Sequence, residues 1–215
     1  AVLVALLLGL PVAWFLSRTD LPGRRFLWPL ALAPAILPPF FLAMGLSRPL
    51  GTWLHATFGL EGQALQQANG SLLLGFSLHP LFAILVGPAL AAVPAGRVEA
   101  ARLLAGPRAA WRRVVLPAVL PAVLGASTLA FVLAFADFGV ADVCSFVLPP
   151  TGDGLPVFSR EVWQQWANEH NQARAVATAA PLAGATLVLF AVAALALRRS
   201  PAVATAGGDR RRPPV

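Results

Sequence analysis

Long apolar runs alternate with shorter polar stretches along this chain. Five runs carry no charged residue: 1–16, 26–46, 71–93, 114–136 and 175–197. A helix needs about 20 apolar residues to cross a bilayer core, and four of the runs reach that length. Lipid offers the backbone no hydrogen-bond partner, and barrel strands would alternate in polarity, so unbroken runs indicate helices. The pattern predicts an all-α, polytopic transmembrane helical bundle of about five spans.

The first run is shorter than the others. Its 16 residues would extend only about 24 Å at 1.5 Å per residue. It also begins with Ala rather than Met. We therefore expect the sequence to be a fragment of a larger protein, with the start of this span upstream.

Prolines interrupt the second run. Pro29, Pro34, Pro38 and Pro39 each lack an amide hydrogen, so this helix should be kinked or partly unwound. Backbone of that kind is tolerated at membrane depth where it is buried in protein or lines a wet cavity. Pro34, Pro38 and Pro39 are therefore candidates for a pathway wall, and a kinked packing helix is an equally good interpretation.

His79 is the one ionisable side chain within the predicted spans. An intramembrane histidine suggests a proton relay or a substrate contact, which makes it a further pathway candidate. A histidine beside a proline more often bonds a freed carbonyl on a neighbouring helix, and we favour that interpretation. The single Cys144 fits a small buried position. No cysteine or histidine cluster is present, so we expect no metal site and no cofactor.

The polar stretches between the runs differ in character. Ser47 to Gly70 is rich in glycine and predicts an outer loop. Asp137 to Arg174 contains a Pro-Gly turn at Pro149 to Gly154 and then an amphipathic segment, VFSREVWQQWANEH. Its Trp163 and Trp166, at positions i and i+3, predict a short helix lying in the membrane interface. Asp137 and Asp142 open this stretch; we interpret them as capping or solvated carboxylates rather than iron ligands. Residues 198–215 predict a disordered tail or linker.

Composition supports a membrane class. Apolar residues make up 58% of the 215 and charged residues 12%, against roughly 25% charged in soluble domains. The net charge of +7 comes from sixteen basic residues that are all arginine and lie beside the apolar runs. Membrane positioning explains such arginines better than nucleic-acid binding, which we do not expect.

The arginines also set an orientation. With alternate loops on opposite sides, only Arg48, Arg160 and Arg174 fall on one side. The other thirteen are Arg18, Arg24, Arg25, Arg97, Arg102, Arg108, Arg112, Arg113, Arg198, Arg199, Arg210, Arg211 and Arg212. By the positive-inside rule, the first turn, the loop 94–113 and the C-terminus should be cytoplasmic.

The cytoplasmic loop 94–113 has an internal structure of its own. Ala95 to Leu104 predicts an amphipathic helix, with Val98, Ala101 and Ala105 on one side and Arg97, Glu99 and Arg102 toward water or a partner. Ala100 and Ala101 leave its surface flat enough for a protein groove to close on it. A Gly-Pro pair then ends the helix.

The whole string resembles the signature of binding-protein-dependent ABC transporter permeases. That pattern has Glu-Ala-Ala, three residues, Gly, nine residues, an Ile-like residue, one residue and Leu-Pro. The direct matches are Glu99, Ala100 and Ala101. The Gly position falls on Ala105, with Gly106 one place late, and Leu116-Pro117 arrives one residue early. Outside the loop, SRTDLPGRR and PAILPPF also resemble this family, while AFADFGVADV and VFSREVWQQW most resemble its ferric-iron and thiamine-type members.

The resemblance implies a MetI-like permease core in a bacterial inner membrane. It implies cytoplasmic ABC ATPase subunits, an extracytoplasmic solute-binding protein and a second permease half as partners, all in membrane lipid. The ATPase-coupling segment would comprise Glu99, Ala100, Ala101, Arg102, Ala105 and Gly106. Glu99 would pair with a basic group of the ATPase, the alanines would permit close approach, and Gly106 would set the bend.

ATP hydrolysis is expected on a separate subunit, so we expect the chain itself to be no enzyme and to hold no catalytic residue. It contains no lysine, so it lacks the phosphate-binding Gly-rich loop with its Lys-Ser/Thr pair. Ferric iron is the first choice of substrate from the resemblance, with thiamine, polyamine, sulfate or molybdate as alternatives. A polytopic membrane enzyme would need paired carboxylates or His/Asp clusters at membrane depth, and an inert scaffold would have no ATPase partner.

Overall fold

The computed structural model describes residues 1–19, 23–148 and 157–198. Every regular element in these residues is helical, so the predicted all-α class is confirmed. In chain order the elements are α1 (Val2–Arg18), α2 (Arg24–Ile36), α3 (Pro39–Phe58), α4 (Gly62–Leu78), α5 (Pro80–Ala91), α6 (Ala95–Ala110), a π-helical turn (Trp111–Val115), α7 (Leu116–Ala136), α8 (Gly139–Val147), α9 (Phe158–Ala167) and α10 (Gln172–Arg198). The predicted Pro149–Gly154 turn and the tail beyond Arg198 lie outside the described residues.

Several helices have the length and composition to cross a membrane. Among the described residues, Ala95–Ala136 and Gln172–Ala191 each contain a segment that is long and apolar enough. Two bent pairs of helices, α2 with α3 and α4 with α5, bring the total to four if each pair is one span. The shorter α1 is also apolar. These helices support a polytopic membrane protein, and the five-span assignment stays a prediction.

The chain turns sharply inside the second apolar run. α2 and α3 meet at 95° across the break after Ile36. Because Pro38 has no amide hydrogen, the Pro34 carbonyl loses its helical partner. The Ser77 hydroxyl of α4 donates to that carbonyl at 3.4 Å. The predicted interruption is confirmed: the run 26–46 is divided between α2 and α3, and α3 continues beyond the run to Phe58.

Residues 47–70 are mostly helical, so the predicted outer loop is wrong. α3 and α4 cover this stretch except for a short connection at Gly59, which has φ 64. Three polar side chains of this stretch, Ser47, Gln66 and Asn69, are fully buried between the helices. Asn69 Nδ2 donates to the Ser47 carbonyl at 2.7 Å and ties α4 to α3. Small and polar residues of this kind hold membrane helices together.

α1 packs closely on α5 and α4 through two glycines, a contact we call the glycine seam. A Cβ on Gly9 would lie 2.6 Å from the His79 carbonyl oxygen and from Phe82 Cβ. A Cβ on Gly75 would lie 2.5 Å from Val4 Cβ. Such small residues let helix backbones approach each other. The central core lies along the seam, and its buried members include Ala5, Ala13, Val86, Val115, Val119, Ala126 and Ala130.

The polar stretch after α7 contains two short helices. α9 confirms the helix predicted from VFSREVWQQW, and its Trp163 and Trp166 are about half exposed, at 47% and 58%. α8 was not predicted. Its buried Val140, Val143 and Cys144 pack on α3 and α4, so tertiary contacts stabilise a helix in a segment that sequence alone marks as polar.

Candidate functional site

The Glu-Ala-Ala string lies in α6, which continues through the π-helical turn into α7. The backbone of α6 leaves helical geometry at Gly106, where φ is 82 and ψ is 169. A residue before proline is driven toward extended ψ, and Pro107 follows directly. Positive φ combined with such a ψ is open essentially to glycine alone. The predicted break is therefore present, and the helix resumes after it up to Ala110.

α6 presents most of its side chains to the surroundings. Glu99, Ala100 and Arg102 are exposed, while Val98 and Ala101 are half-buried toward the bundle. Ala105 was predicted on the same side as Val98 and is instead exposed. The exposed alanines keep this surface low, so a partner can approach the backbone closely.

Sequence reasoning missed the most exposed apolar residues of this helix. Leu103 and Leu104 are each 88% exposed. Two adjacent leucines next to Arg102 in a charged segment were an available signal. Large apolar side chains at full exposure, on a helix flanked by arginines, indicate a surface that a partner covers.

α6 is only thinly attached to the bundle. It packs principally against the π-helical turn that follows it, and Val98 reaches the central core. On the far side of Gly106, Ala110 and Val115 are buried, and the Trp111 ring meets Trp14 of α1 edge-to-face at 5.1 Å. π-Helical turns occur frequently at functional sites. This one joins a loosely held helix to α7, so motion of α6 has a direct path into the bundle.

A cavity of about 210 Å³ separates α6 from the end of α1. Its polar lining includes Arg18 of α1 with Glu99 and Arg102 of α6, and its apolar walls include Trp14 and Trp111. Among the described residues, Glu99 forms no ion pair. The Glu-Ala-Ala carboxylate is therefore free to take a cationic partner.

Two larger cavities lie near the proline break and the end of α7. One, of about 450 Å³, is lined by Pro38 and Pro39 together with Ser77. The other, of about 490 Å³, carries Gln67 and Ser71 on its wall. Both are also lined by Leu74 and Asp137, which lie where the two spaces adjoin. Two of the three candidate prolines, Pro38 and Pro39, therefore line a cavity. The carbonyl of the third, Pro34, accepts the hydrogen bond from Ser77.

His79 satisfies the backbone between α4 and α5. Pro80 cannot donate to the Phe76 carbonyl, and His79 Nδ1 lies 2.5 Å from that oxygen. The ring is buried and is not among the residues lining the two larger cavities. His79 therefore bonds a freed carbonyl, but that carbonyl belongs to its own helix turn, so the predicted contact with a neighbouring helix is wrong.

Asp137 caps α8. Its Oδ1 accepts a hydrogen bond from the Val140 amide at 2.9 Å. Burial raises the pKa of this carboxyl group, and the hydrogen bond from Val140 opposes the rise. The Ser159 hydroxyl donates to the Asp137 carbonyl at 2.9 Å and so attaches α9 to the same junction. The capping interpretation is confirmed for this residue.

Within residues 1–19, 23–148 and 157–198, no set of three or more His, Cys, Asp or Glu side chains could hold a metal ion. Cys144 is fully buried, with Sγ 3.7 Å from Ser47 Oγ.

Comparison with known proteins gives three relevant relatives, while no known family profile matches the chain. The chain is 31% identical over 169 residues to a probable molybdenum ABC transporter permease protein of Haloferax volcanii, a match that covers 75% of this chain and 58% of the relative. It is 32% identical over 146 residues to the molybdenum transport system permease protein ModB of Mycobacterium bovis and of Mycobacterium tuberculosis, covering 63% of this chain and 53% of each relative.

These matches support the ABC permease family, in agreement with the Glu-Ala-Ala resemblance. The chain spans a little over half the length of the curated relatives it matches. The ferric-iron or thiamine-type assignment finds no support in them.

Proposed function

We propose that this chain is a membrane-spanning permease subunit of an ATP-driven ABC importer, and that its substrate is molybdate. The observation that carries the proposal is the similarity over three quarters of the chain to a molybdenum ABC transporter permease. The long apolar helices and the Glu-Ala-Ala helix support it independently. ATP hydrolysis would take place on a separate subunit.

In this proposal α6 is the contact with the ATPase. Its exposed leucines, Leu103 and Leu104, would enter an apolar groove of the ATPase, and Glu99 would meet a basic group at its edge. Ala100 and Ala101 would let the two backbones approach. The remaining predicted members of the segment, Arg102, Ala105 and Gly106, would complete the surface and set its bend.

The substrate path would run beside the proline break. The cavities of about 450 and 490 Å³ adjoin at Leu74 and Asp137, and Pro38 and Pro39 line one of them. Irregular backbone at membrane depth is favoured where it borders such a space. His79, held by the Phe76 carbonyl, would serve the backbone and not the substrate.

The remaining partners follow from orientation and exposed area. The arginine distribution supports a cytoplasmic position for α6 and the C-terminus in a bacterial inner membrane. A solute-binding protein would deliver substrate to the opposite side. α10 leaves Val176, Leu187 and Val188 between 63% and 71% exposed, which suits lipid or a second permease half.

Reconstitution tests the proposal. The full-length chain, its ATPase and its binding protein would be placed in proteoliposomes, and uptake of labelled molybdate would be followed with and without ATP. We expect ATP-dependent accumulation that excess sulfate, thiamine or ferric iron does not abolish. Accumulation of ferric iron in place of molybdate would overturn the substrate assignment. Failure of the chain to co-purify with any ATPase would overturn the proposal that it belongs to an importer.

A further inference from the structure

Arg18 links the end of α1 to the start of α6. Its Nη2 donates to the Val93 carbonyl at 2.8 Å. Val93 lies two residues beyond Ala91, the last residue of α5, and Pro94 caps α6, so this bond holds the connection between the two helices. At this position the Arg18 guanidinium lies near the C-terminal ends of both α1 and α5, where the helix dipoles favour a positive charge.

The same guanidinium has a donor left over. Arg18 Nε is buried and has no hydrogen-bond partner. Arg18 lines the 210 Å³ cavity together with Glu99, whose carboxylate forms no ion pair among the described residues. A buried donor without an acceptor is costly, and a carboxylate that accepts from it forms a strong, charge-assisted bond.

We propose that Arg18 is a positioning residue for coupling: it holds the Val93 carbonyl and takes the Glu99 carboxylate as its second acceptor when α6 moves toward α1 and closes the cavity. This proposal rests on the proposed function. Glu99 would then alternate between the ATPase and Arg18, so that release by one partner is matched by capture by the other.

Two features favour this movement and this partner. α6 is thinly attached and is bounded by Pro94 and by the bend at Gly106, so it can tilt without breaking the core. Arg102 also lines the cavity, but it is exposed, so its charge has no comparable need of a protein acceptor. The buried Arg18 donor gains more from an acceptor, because ionic hydrogen bonds strengthen away from water.

A double-mutant cycle tests the pairing in the complete transporter. The variants are Arg18→Gln, Glu99→Gln and the double variant, with Arg48→Gln as a matched control, since Arg48 is an exposed arginine of α3 that lies outside α6 and does not line the cavity. The readout is molybdate transported per ATP hydrolysed in proteoliposomes. We expect each single variant to lower this ratio about fivefold, the double variant to be no worse than the lower single, and the control to match wild type.

The outcomes separate this inference from the proposed function. A purely structural Arg18 would lower thermal stability, uptake and hydrolysis together while leaving the ratio unchanged, and that result would overturn the inference. Multiplied losses in the double variant would also overturn the pairing. If the wild-type chain does not bind the ATPase at all, the importer proposal fails instead.

Discussion

The glycine seam and α6 show opposite ways of joining a helix to this protein. At the seam, Gly9 brings α1 within van der Waals contact of the α5 backbone, and Phe82 is fully buried beside it. α6 instead exposes Leu103 and Leu104 and touches the bundle at few places. The first contact resists any displacement, because close-packed interiors transmit strain. The second allows α6 to move as a unit. The difference therefore separates a rigid helical bundle from a helix that is loosely attached to it.

Breaking the seam should have the largest effect on the protein. In Gly9→Ala the new methyl group would lie 2.6 Å from the His79 carbonyl oxygen and from Phe82 Cβ, so we expect a loss of about 1–3 kcal/mol in the free energy of unfolding. Thermal unfolding in detergent measures it. Gly125→Ala in α7 is the control, because a Cβ there meets no atom within 4 Å. Equal stability of the two variants would show that the seam is not tight.

Reversing the charge of Glu99 on α6 should uncouple transport without destabilising the helical bundle. Glu99 is exposed on an otherwise basic segment, so Glu99→Arg should leave insertion and stability unchanged. We expect a reduction of about tenfold or more in ATP-driven uptake, because like charges would meet at the ATPase, at a cost of about 1.4 kcal/mol or more. Uptake in vesicles measures transport, and co-purification of the ATPase measures the contact between the two proteins. Normal uptake by this variant would contradict the assigned role.

The exposed leucines should contribute to binding but not to folding. Leu103→Ala and Leu104→Ala remove side chains that are 88% exposed, so the unfolding temperature should not change. The double variant should weaken ATPase retention about fivefold to tenfold, because a loss of about 1–1.4 kcal/mol for the pair is expected of apolar interface residues that are not hot spots. Pull-down in detergent measures retention. A falling unfolding temperature with full retention would mean that the leucines pack within the permease.

The bend itself should give the smallest effect. Gly106→Ala forces an L-residue into φ 82, ψ 169, at a cost of about 1 kcal/mol. We expect transport per ATP to fall a few-fold while ATPase binding persists. Paired assays of uptake and hydrolysis in vesicles measure this ratio. Wild-type coupling would show that α6 tolerates another bend.

Local sequence patterns predicted α6 and α9 better than the packed helices of the bundle. The Gly-Pro pair located the bend in α6, and the spacing of Trp163 and Trp166 located α9, because both depend on neighbouring residues alone. The helical course of residues 47–70 was missed, because Asn69 of one helix donates to the Ser47 carbonyl of another and no local signal reports that pairing. Arg18 was read only as a positive-inside residue, since its bond to Val93 joins positions 75 apart in the chain.

Gly106 carries a stereochemical consequence. A Cβ there would meet no atom within 4 Å, so glycine is required by its backbone angles and not by lack of space. The mirror image of φ 82, ψ 169 falls in the extended region that L-residues favour. A D-alanine at this position would therefore fit the native bend and rigidify it. Chirality, rather than side-chain size, limits which residue can occupy the hinge of this helix.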